Sequence, residues 1–405
     1  MRKGYDVAVI GAGPAGMTAA YHAARQGMRV LLVDRKRPPG AKILLSGGGR
    51  CNILPSAVDP TSYTTDSSPH TLRKILLSWP LPEVRSFLEG PIGLRLTQDR
   101  KTGKVFPFAG GGQEVRERLL SAVRQAGAEL RTGASVIGVA PNERRSVLLE
   151  GGEGILATRI VLATGGLSYP ETGSDGTGLE IARRLGHTIV EPYPALVPLR
   201  SRNVAHHALA GVSVEVLLRI GEGKGHAEAR GAFLFTHRGY SGPVVLNLSH
   251  HASRAAQRGC RPPITVSWLG RTEKEWAAVL ATPGRRTVRG LLRESLPDRL
   301  VDLILGELDL GSAGTATLDR GSRGRLLQAL TSYPLPIRRA EGFDVAEVTG
   351  GGVPLAQIDP RTLESRVASR VHFCGEILDA FGPIGGTNFL WAFVTGRLAG
   401  NGAAG

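Results

Sequence analysis

The stretch YDVAVIGAGPAG, residues 5–16, decides how the chain begins to fold. Its first seven residues are mostly apolar and β-branched, a pattern typical of a buried parallel strand. The glycines that follow open a predicted helix over residues 14–26, and MRVLLVD at residues 28–34 predicts a second buried strand. Strand, helix and strand in this order form a βαβ unit. The sequence therefore predicts an α/β fold that starts with a Rossmann-like parallel sheet.

The three glycines of this turn have the GxGxxG spacing of dinucleotide-binding proteins. Gly11 makes the tight turn, Gly13 lets backbone N–H groups approach a pyrophosphate, and Gly16 lets helix and strand pack closely. An acid follows at Asp34, at the end of the second strand, and suits a free ribose hydroxyl. FAD or NAD is therefore favoured over NADP. The residues predicted to bind the dinucleotide here are Gly11, Gly13, Pro14, Ala15, Gly16, Asp34 and Arg35.

Two later turns repeat the strand-then-glycine pattern. ATGG at residues 163–166 follows the predicted strand RIVL, and FCGE at residues 373–376 follows another strand and precedes GPIGGTN. Two-dinucleotide-binding flavoproteins resemble this arrangement, and in them the late acid binds the ribityl hydroxyls of FAD. The next helix then directs its positive N-terminal end toward the flavin, where negative charge develops. The arrangement favours FAD as the cofactor.

The segment KILLSGGGRCN, residues 42–52, places three consecutive glycines before an arginine and a cysteine. With residues 161–199, 231–249 and 346–386, it resembles the bacterial YhiN/BaiN-type (aminoacetone-oxidase-like) FAD-binding flavoprotein family, which includes a bile-acid steroid reductase. The resemblance implies a discontinuous FAD-binding domain of the two-dinucleotide-binding type, interrupted by a β-barrel-like insert that carries a helical subdomain. The expected bounds are 1–190 with 346–405 for the FAD domain, 191–270 with 331–345 for the insert, and 271–330 for the helical subdomain.

The resemblance also places the glycine-rich loop against the flavin, where backbone can meet the ring edge without side-chain clashes. Arg50 would neutralise a phosphate or reduced flavin. Cys51 has two interpretations: a redox-active thiol whose pKa Arg50 lowers, or a small residue packed against the cofactor. Packing is favoured, because no CxxC partner exists. The remaining residues expected to bind FAD are Lys42, Ser46, Gly48, Gly49, Arg50, Cys51, Val136, Ala163, Thr164, Gly165, Gly375, Glu376, Gly385, Gly386 and Asn388.

The catalytic candidates are Cys51, in its redox interpretation, His237 and Tyr240. His237 and Tyr240, in FTHRGYSGP, belong to a segment that the resemblance places near the mouth of the active site, and either could give a proton to a substrate. The alternative is a polar turn that closes the barrel. His187 is expected to be a packed histidine, whereas Tyr169 and Thr172 could line the flavin site.

The last glycine-rich turn departs from the pattern of the family. The family commonly reads GPTGGYNLQWAF, whereas this chain has GPIGGTNFLWAF, with changes at Ile384, Thr387, Phe389 and Leu390. FAD binding should survive, because it uses backbone groups. The substrate of the family is therefore not carried over to this chain.

Length, charge and cysteine content limit the number of domains, the classes of partner and the compartment. The 405 residues suffice for two or three domains at roughly 100–200 residues each. The net charge of +15 comes from scattered cations, without a basic run or interleaved aromatics, so nucleic acid is not the expected partner. Three cysteines without metal spacing indicate a reducing cytoplasm and no metal site. No signal peptide or membrane-spanning apolar run is recognised.

The sequence thus predicts a cytoplasmic FAD-dependent oxidoreductase. Electrons would pass from NAD(P)H to a small organic acceptor, such as an activated C=C bond. Because no second GxGxxG is found, NAD(P)H is expected to bind transiently. Three alternatives stay open: an O2-dependent amine (aminoacetone-type) oxidase, a tRNA-modifying or RNA-binding flavoprotein, and a non-enzymatic flavin sensor.

Overall fold

The computed structural model describes residues 4–100, 102–140, 145–282 and 286–405. The chain divides into two compact units, the first comprising Met1–Pro194 with Phe343–Gly405 and the second comprising Ala195–Gly342. In chain order the strands are β1 (Tyr5–Ile10), β2 (Val30–Asp34), β3 (Leu96–Gln98), β4 (Val105–Pro107), β5 (Glu129–Thr132), β6 (Val136–Ala140), β7 (Arg145–Leu149), β8 (Gly154–Leu162), β9 (Val190–Ala195), β10 (Leu199–Ser201), β11 (Ser213–Ile220), β12 (Ala227–Thr236), β13 (Gly239–Ser241), β14 (Ile264–Trp268), β15 (Tyr333–Pro334), β16 (Ile337–Ala340), β17 (Val348–Gly352) and β18 (Val371–Phe373). The α-helices are α1 (Pro14–Arg25), α2 (Ala41–Leu45), α3 (Pro69–Leu76), α4 (Leu81–Glu89), α5 (Gly111–Gln125), α6 (Thr177–Arg184), α7 (Pro243–Gln257), α8 (Glu273–Leu280), α9 (Val288–Arg293), α10 (Asp298–Glu307), α11 (Arg320–Thr331) and α12 (Thr387–Gly402).

The first unit is built on a seven-stranded sheet in the order β5-β2-β1-β8-β7-β6, with β18 also paired to β8. Strands β5, β2, β1, β8 and β18 pair in parallel, whereas β6, β7 and β8 pair antiparallel. The central strands are almost completely buried, as expected for apolar β-branched runs covered on both faces. The βαβ unit and the Rossmann-type α/β class predicted from the N-terminal sequence are confirmed.

The N-terminal helix α1 and the C-terminal helix α12 pack closely in this unit. A Cβ atom added at Gly396 would lie 2.4 Å from the carbonyl oxygen of Ala15, and one at Gly400 would lie 2.4 Å from that of Ala19. Only glycine allows the two backbones to approach this closely. The contact fixes the beginning of α1, and with it the first glycine-rich turn, relative to the end of the chain.

The second unit contains a seven-stranded antiparallel sheet in the order β15-β14-β11-β12-β13-β10-β16. Its longest pairing joins β11 and β12 over eight residue pairs, from Ser213↔Leu234 to Ile220↔Ala227. Residues on β11 alternate between exposed and buried, which is the pattern of a sheet with one face in the core. Helices α7 to α11 complete this unit, and Trp268 and Trp276 are fully buried in its core. Closure of the sheet into a barrel stays a prediction.

Candidate dinucleotide site

Four strands of the first unit end at the same edge of its sheet. Register pairs Ile10 with Val33 of β2 and with Leu162 of β8, and it pairs Leu162 with Phe373 of β18. The segments that follow these ends are the first glycine-rich turn, Asp34, the ATGG turn and the Gly375–Glu376 turn. Ligands of open α/β sheets bind at this carboxyl edge. We call these four segments together the dinucleotide cradle.

Two of the three glycines in the first turn make close backbone contacts, and the third faces open space. A Cβ atom at Gly11, which has φ +100°, would lie 2.4 Å from the carbonyl oxygen of Ala163, and one at Gly16 would lie 1.8 Å from the carbonyl oxygen of Gly11. A Cβ atom at Gly13 would meet no heavy atom within 4 Å. Gly13 also caps α1 without a side chain, so the first N–H groups of the helix remain available to an anion. This open space beside a helix N-terminus fits a pyrophosphate.

Asp34 lies beneath the same turn. Its carboxylate accepts hydrogen bonds from the backbone N–H groups of Ala12 and Lys36, both at 2.7 Å. Burial raises the pKa of Asp34, although these hydrogen bonds and the neighbouring cations oppose the change. Each oxygen keeps a lone pair that can accept a ribose hydroxyl. The neighbouring Arg35 forms an ion pair with Asp175, which lies just before α6.

Lys42 and Glu376 meet in a polar cluster that also contains Ser168 and Thr349. The Lys42 ammonium donates to Glu376 Oε2 at 2.9 Å and to Ser168 Oγ at 2.8 Å. Glu376 Oε1 accepts hydrogen bonds from Ser168 Oγ and from the Thr349 N–H. Burial opposes ionisation of Glu376, but the Lys42 charge and these hydrogen bonds outweigh it and lower the pKa of the carboxyl. The sequence predicted Lys42 and Glu376 as site residues but gave no signal for their contact.

Ser168 and Thr349 were missed by sequence reasoning. Thr349 Oγ1 accepts hydrogen bonds from the N–H groups of Leu167 and Ser168, at 2.7 and 3.0 Å. Thr349 therefore holds the backbone that follows the ATGG turn, and its own N–H binds Glu376. Ser168 directly follows the segment ATGGL, so the sequence could have indicated that its hydroxyl lies at the site. Thr349 lies 181 residues further along the chain, so only the fold reveals it.

The glycine-rich loop after α2 forms a 3₁₀ turn over Ser46–Gly49, in which Gly47 and Gly48 have left-handed backbone angles. Ser46 accepts a backbone hydrogen bond from Cys51 at 3.0 Å and so closes the turn. The loop packs against a second glycine-rich turn at the start of α5. A Cβ atom at Gly111 would lie 2.3 Å from the carbonyl oxygen of Gly49. Gly111 was not predicted as a site residue, although the run of glycines ahead of a helix was visible in the sequence.

The last glycine-rich turn leads into α12. Gly386 caps this helix, and a Cβ atom there would lie 2.5 Å from the carbonyl carbon of Leu54, so the turn lies against the chain that leaves the glycine-rich loop. Gly385 has φ +120°. The Asn388 side chain accepts from the Gly382 N–H at 2.9 Å and donates to the Gly382 carbonyl at 3.0 Å. Asn388 therefore holds the turn, and the backbone of the turn faces the site.

Cys51 is fully buried, and burial raises its pKa to about 12. The redox interpretation, which the sequence disfavoured, requires a lowered pKa, whereas a thiol with a raised pKa remains protonated at neutral pH. Arg50 does not act on the thiol as supposed, since its guanidinium lies 4.6 Å from the centre of the Phe106 ring and is exposed. The packing interpretation of Cys51 fits its environment.

The two catalytic candidates of the second unit lie in different surroundings. Tyr240 is fully buried, and its hydroxyl is within 2.6 Å of His206 Nδ1 and 3.1 Å of Ser201 Oγ. Burial raises the pKa of Tyr240. This environment corrects the expectation that Tyr240 donates a proton to a substrate, because no substrate can reach a fully buried hydroxyl. His237 is exposed in the turn between β12 and β13.

Several other predicted residues support the cradle rather than face it. Thr164 Oγ1 packs against Gly178 of α6, where a Cβ atom would lie 1.8 Å from it. Val136 is buried at the start of β6 and pairs with Leu149. His187 is buried and lies within hydrogen-bonding distance of Gln357 and Ser365, at 3.0 and 2.7 Å, so the expectation of a packed histidine is confirmed.

Three further predicted residues flank the cradle. Ala15 packs against the late acidic turn, since a Cβ atom at Gly375 would lie 2.8 Å from the Ala15 Cβ atom. Tyr169 has φ +49° and accepts a hydrogen bond on its carbonyl from Thr172 Oγ1 at 2.7 Å. A left-handed tyrosine is rare and is found most often at functional sites.

The described residues contain no helix long and apolar enough to cross a membrane. Among the same residues, no group of three or more histidine, cysteine, aspartate or glutamate side chains could hold a metal ion.

Known proteins match this chain over nearly its whole length. The chain matches the family described as HI0933-like protein Rossmann domain over residues 5–402. The 3-dehydro-bile acid delta(4,6)-reductase of Clostridium scindens is 31% identical over 407 residues, which cover 98% of this chain and 98% of that protein. The ribosomal RNA dihydrouridine synthase of Escherichia coli is 30% identical over 397 residues, which cover 96% of this chain and 95% of that protein.

Among solved structures, the 3-ketosteroid delta1-dehydrogenase of Sterolibacterium denitrificans superimposes with a TM-score of 0.54 at 13% identity, covering 99% of both chains. At this identity the likeness concerns the fold alone. The family match over nearly the whole chain agrees with the resemblance inferred from the glycine-rich segments. The chain belongs to the HI0933-like Rossmann-domain family and is an FAD-binding oxidoreductase.

Proposed function

We propose that this protein is an FAD-dependent reductase that uses NAD(P)H to saturate a C=C bond conjugated with a carbonyl group in a small organic acceptor. One observation carries the proposal. Both full-length relatives are named for the same class of change: a delta(4,6)-reductase removes a C=C bond, and a dihydrouridine is a uridine whose ring C=C bond is saturated. The chain aligns with both over nearly its whole length.

The cradle supports the cofactor part of the proposal. Gly13 and the N-terminus of α1 would hold the pyrophosphate, and Asp34 would bind the ribose. The Lys42–Glu376 pair and the turn at Gly385–Gly386 would hold the flavin half. FAD, when bound, supplies hydride transfer.

The chain's own charges would then stabilise the site. Lys42 lies 2.9 Å from Glu376 and is held by Glu376, Ser168 and, through Ser168, Thr349, so this ion pair is fixed in place but carries no net charge. The N-terminal end of α12 adds partial positive charge without a side chain. Pre-organised positive groups of this kind stabilise negative charge that develops during a reaction.

A second candidate is the same reduction with a uracil base of RNA as the acceptor. The E. coli relative is named for ribosomal RNA. Over its 148 residues, the second unit has 21 Lys and Arg against 12 Asp and Glu, so it carries more than half of the net charge of +15 in a smaller part of the chain. A basic unit favours a polyanionic partner. This observation favours nucleic acid as a partner, whereas the scattered cations of the sequence argued against it.

One experiment distinguishes the small organic acceptor from the RNA acceptor. FAD-loaded protein is titrated without oxygen with NADH and then NADPH, and the flavin absorbance near 450 nm is followed. The reduced protein is then mixed with a 4,6-dien-3-one steroid or with an unmodified ribosomal RNA transcript. We expect bleaching by one nicotinamide nucleotide, reoxidation by the enone, and a product two mass units heavier.

Three other results would redirect the proposal. Reoxidation only by RNA, with the mass gain on uridine, would establish the second candidate. Rapid reoxidation by O2 with release of peroxide, and indifference to both nicotinamide nucleotides, would contradict the reductase and support the amine oxidase alternative. If no electron donor reduces the flavin, the protein binds a flavin but lacks the proposed reductase activity.

A further inference from the structure

A cleft of about 570 Å³ opens in the first unit beside the glycine-rich loop. Its walls are the turn Ser46–Gly49, the hairpin of β3 and β4, and the start of α5. This volume lies within the range of roughly 300–1,000 Å³ that is usual for small-molecule sites. Its lining includes Arg50, Gln98, Asp99, Phe106, Phe108 and Gly110.

Arg50 brings a positive charge into this cleft. Its guanidinium lies over the Phe106 ring at 4.6 Å from the centre, which fixes the cation against an aromatic face. No carboxylate in the described part of the chain forms an ion pair with it. An exposed guanidinium with unused N–H donors suits a phosphate, which it can bind through two parallel hydrogen bonds.

Phe108 provides an aromatic surface on the same wall. It is 62% exposed, the largest exposure of any aromatic ring among the exposed large apolar side chains of the described residues. The Arg95 guanidinium lies over the ring at 4.9 Å, yet most of the side chain remains open to the cleft and solvent. Its position on the wall of the cleft makes the exposed ring face available for stacking with a base.

The remaining walls are polar. Gln98 donates from its amide to the Gly103 carbonyl at 2.9 Å, which leaves its amide oxygen available. Asp99 accepts hydrogen bonds from the N–H and hydroxyl of Thr102, at 2.7 and 2.8 Å. Gly110 caps the fifteen-residue helix α5 without a side chain and adds backbone N–H donors to the charge of Arg50.

We propose that this cleft binds the reducing nicotinamide dinucleotide, with a phosphate on Arg50 and a base stacked on Phe108. This inference rests on the proposed function, because it places the electron donor of that reaction. An apolar acceptor would gain little from a cation and a helix N-terminus, whereas a dinucleotide uses both. The cleft adjoins the glycine-rich loop Ser46–Gly49, which is predicted to lie against the flavin, so a donor bound there would dock next to the cofactor. It also explains donor binding without a second GxGxxG motif.

The test uses FAD-loaded protein and three variants, Phe108→Ala, Phe108→Trp and Leu77→Ala. Leu77 is a matched control, since it is 42% exposed in the same unit but does not line the cleft. Binding of NADP⁺, NAD⁺ and ADP-ribose to the oxidised protein is measured by calorimetry, and the rate of flavin bleaching is measured against donor concentration.

We expect Phe108→Ala to raise the Kd of the dinucleotide roughly tenfold, with unchanged FAD content and an unchanged limiting rate. Phe108→Trp should keep the wild-type Kd, and Leu77→Ala should change neither the Kd nor the rate of flavin bleaching. An unchanged Kd in Phe108→Ala would overturn the assignment. If no dinucleotide binds to the wild type, while dithionite-reduced protein still reduces the enone, this inference fails and the reductase activity stands.

Discussion

The two compact units use polar groups in opposite ways. In the first unit, the cradle at the edge of the sheet is made largely of backbone, with Gly13 facing open space and helix N–H groups available. In the second unit, polar side chains are buried and satisfy one another: His206 lies 2.6 Å from Tyr240 and 2.9 Å from Tyr333, and Tyr333 donates to Glu307 at 2.7 Å. Helix N–H groups without a hydrogen-bond partner are available to a ligand, whereas buried side chains that hydrogen-bond to one another stabilise the core. The contrast assigns binding to the first arrangement and stability to the second.

The largest expected effect comes from filling the closest contact of the cradle. Gly16→Ala would place a Cβ atom 1.8 Å from the carbonyl oxygen of Gly11, so the turn or the helix must move. We expect almost complete loss of FAD and a destabilisation of at least about 1–3 kcal/mol. FAD content and Tm report both effects. Gly154→Ala is the control, because a Cβ atom there meets nothing within 4 Å; full FAD content in Gly16→Ala would contradict the account.

A smaller effect should follow from the second glycine-rich turn. Gly111 has φ +53°, and Gly111→Ala would bring a Cβ atom to 2.3 Å from the Gly49 carbonyl oxygen. The loop over the predicted flavin position would shift, and we expect the Kd of FAD to rise roughly tenfold, or about 1.4 kcal/mol. Gly127→Ala is the matched control: it has φ +94° but open space around the Cβ position, so it carries backbone strain without the clash. Equal FAD affinity in both variants would show that the contact does not position the loop.

The third prediction concerns the buried network of the second unit. Tyr240→Phe removes the hydroxyl that lies next to His206 and Ser201, and should cost about 1–3 kcal/mol of stability by leaving buried polar atoms unpaired. FAD content and turnover should stay at the wild-type level. Tyr5→Phe is the control, because its hydroxyl bonds to Glu129 at the surface. A hundredfold loss of turnover at unchanged Tm would restore Tyr240 as a catalytic residue.

The smallest effect should come from Cys51→Ser. The variant should keep turnover within about twofold, because the buried thiol remains protonated. Burial raises the folded pKa to about 12, above the unfolded value near 8.5. Below pH 8.5 both states keep the proton, whereas above it the unfolded chain loses the proton first. Wild-type stability should therefore fall by up to about 1.4 kcal/mol per pH unit from this group as pH rises from 9 toward 12.

Denaturant titrations of wild type, Cys51→Ser and the exposed control Cys260→Ser at several alkaline pH values measure this fall. The wild type and Cys260→Ser should lose stability more steeply than Cys51→Ser. Parallel curves for all three proteins would show that the Cys51 thiol is not desolvated in solution, and the redox interpretation would then deserve a new test.

The sequence predicted the close contacts of the first glycine-rich turn, because a glycine is needed where backbone atoms leave no room for a Cβ atom. Gly11 and Gly16 are glycines for reasons of contact within a local βαβ unit, and that unit is encoded by adjacent residues. Lys42 and Glu376 were also predicted, but by resemblance. Their ion pair joins positions 334 residues apart, so no local pattern contains it.

Positions whose surroundings come from distant neighbours were harder to judge from the sequence. Tyr240 looked like a proton donor in its local segment, yet its surroundings come from His206 and Tyr333, on other elements of the second unit. Cys51 stands beside an arginine in sequence, but the guanidinium stacks on Phe106 and burial controls the pKa of the thiol. A side chain's chemistry is set by burial and long-range contacts, which adjacency does not reveal.

The most direct test is the stoichiometry of FAD on purified, stripped protein, measured by calorimetry with parallel absorbance spectra. One FAD per chain, with a flavin spectrum and with binding abolished in Gly16→Ala but kept in Gly154→Ala, is the predicted result. A correctly folded protein that takes up no FAD at saturating concentration would contradict the convergence of the glycine-rich turns on a single cofactor.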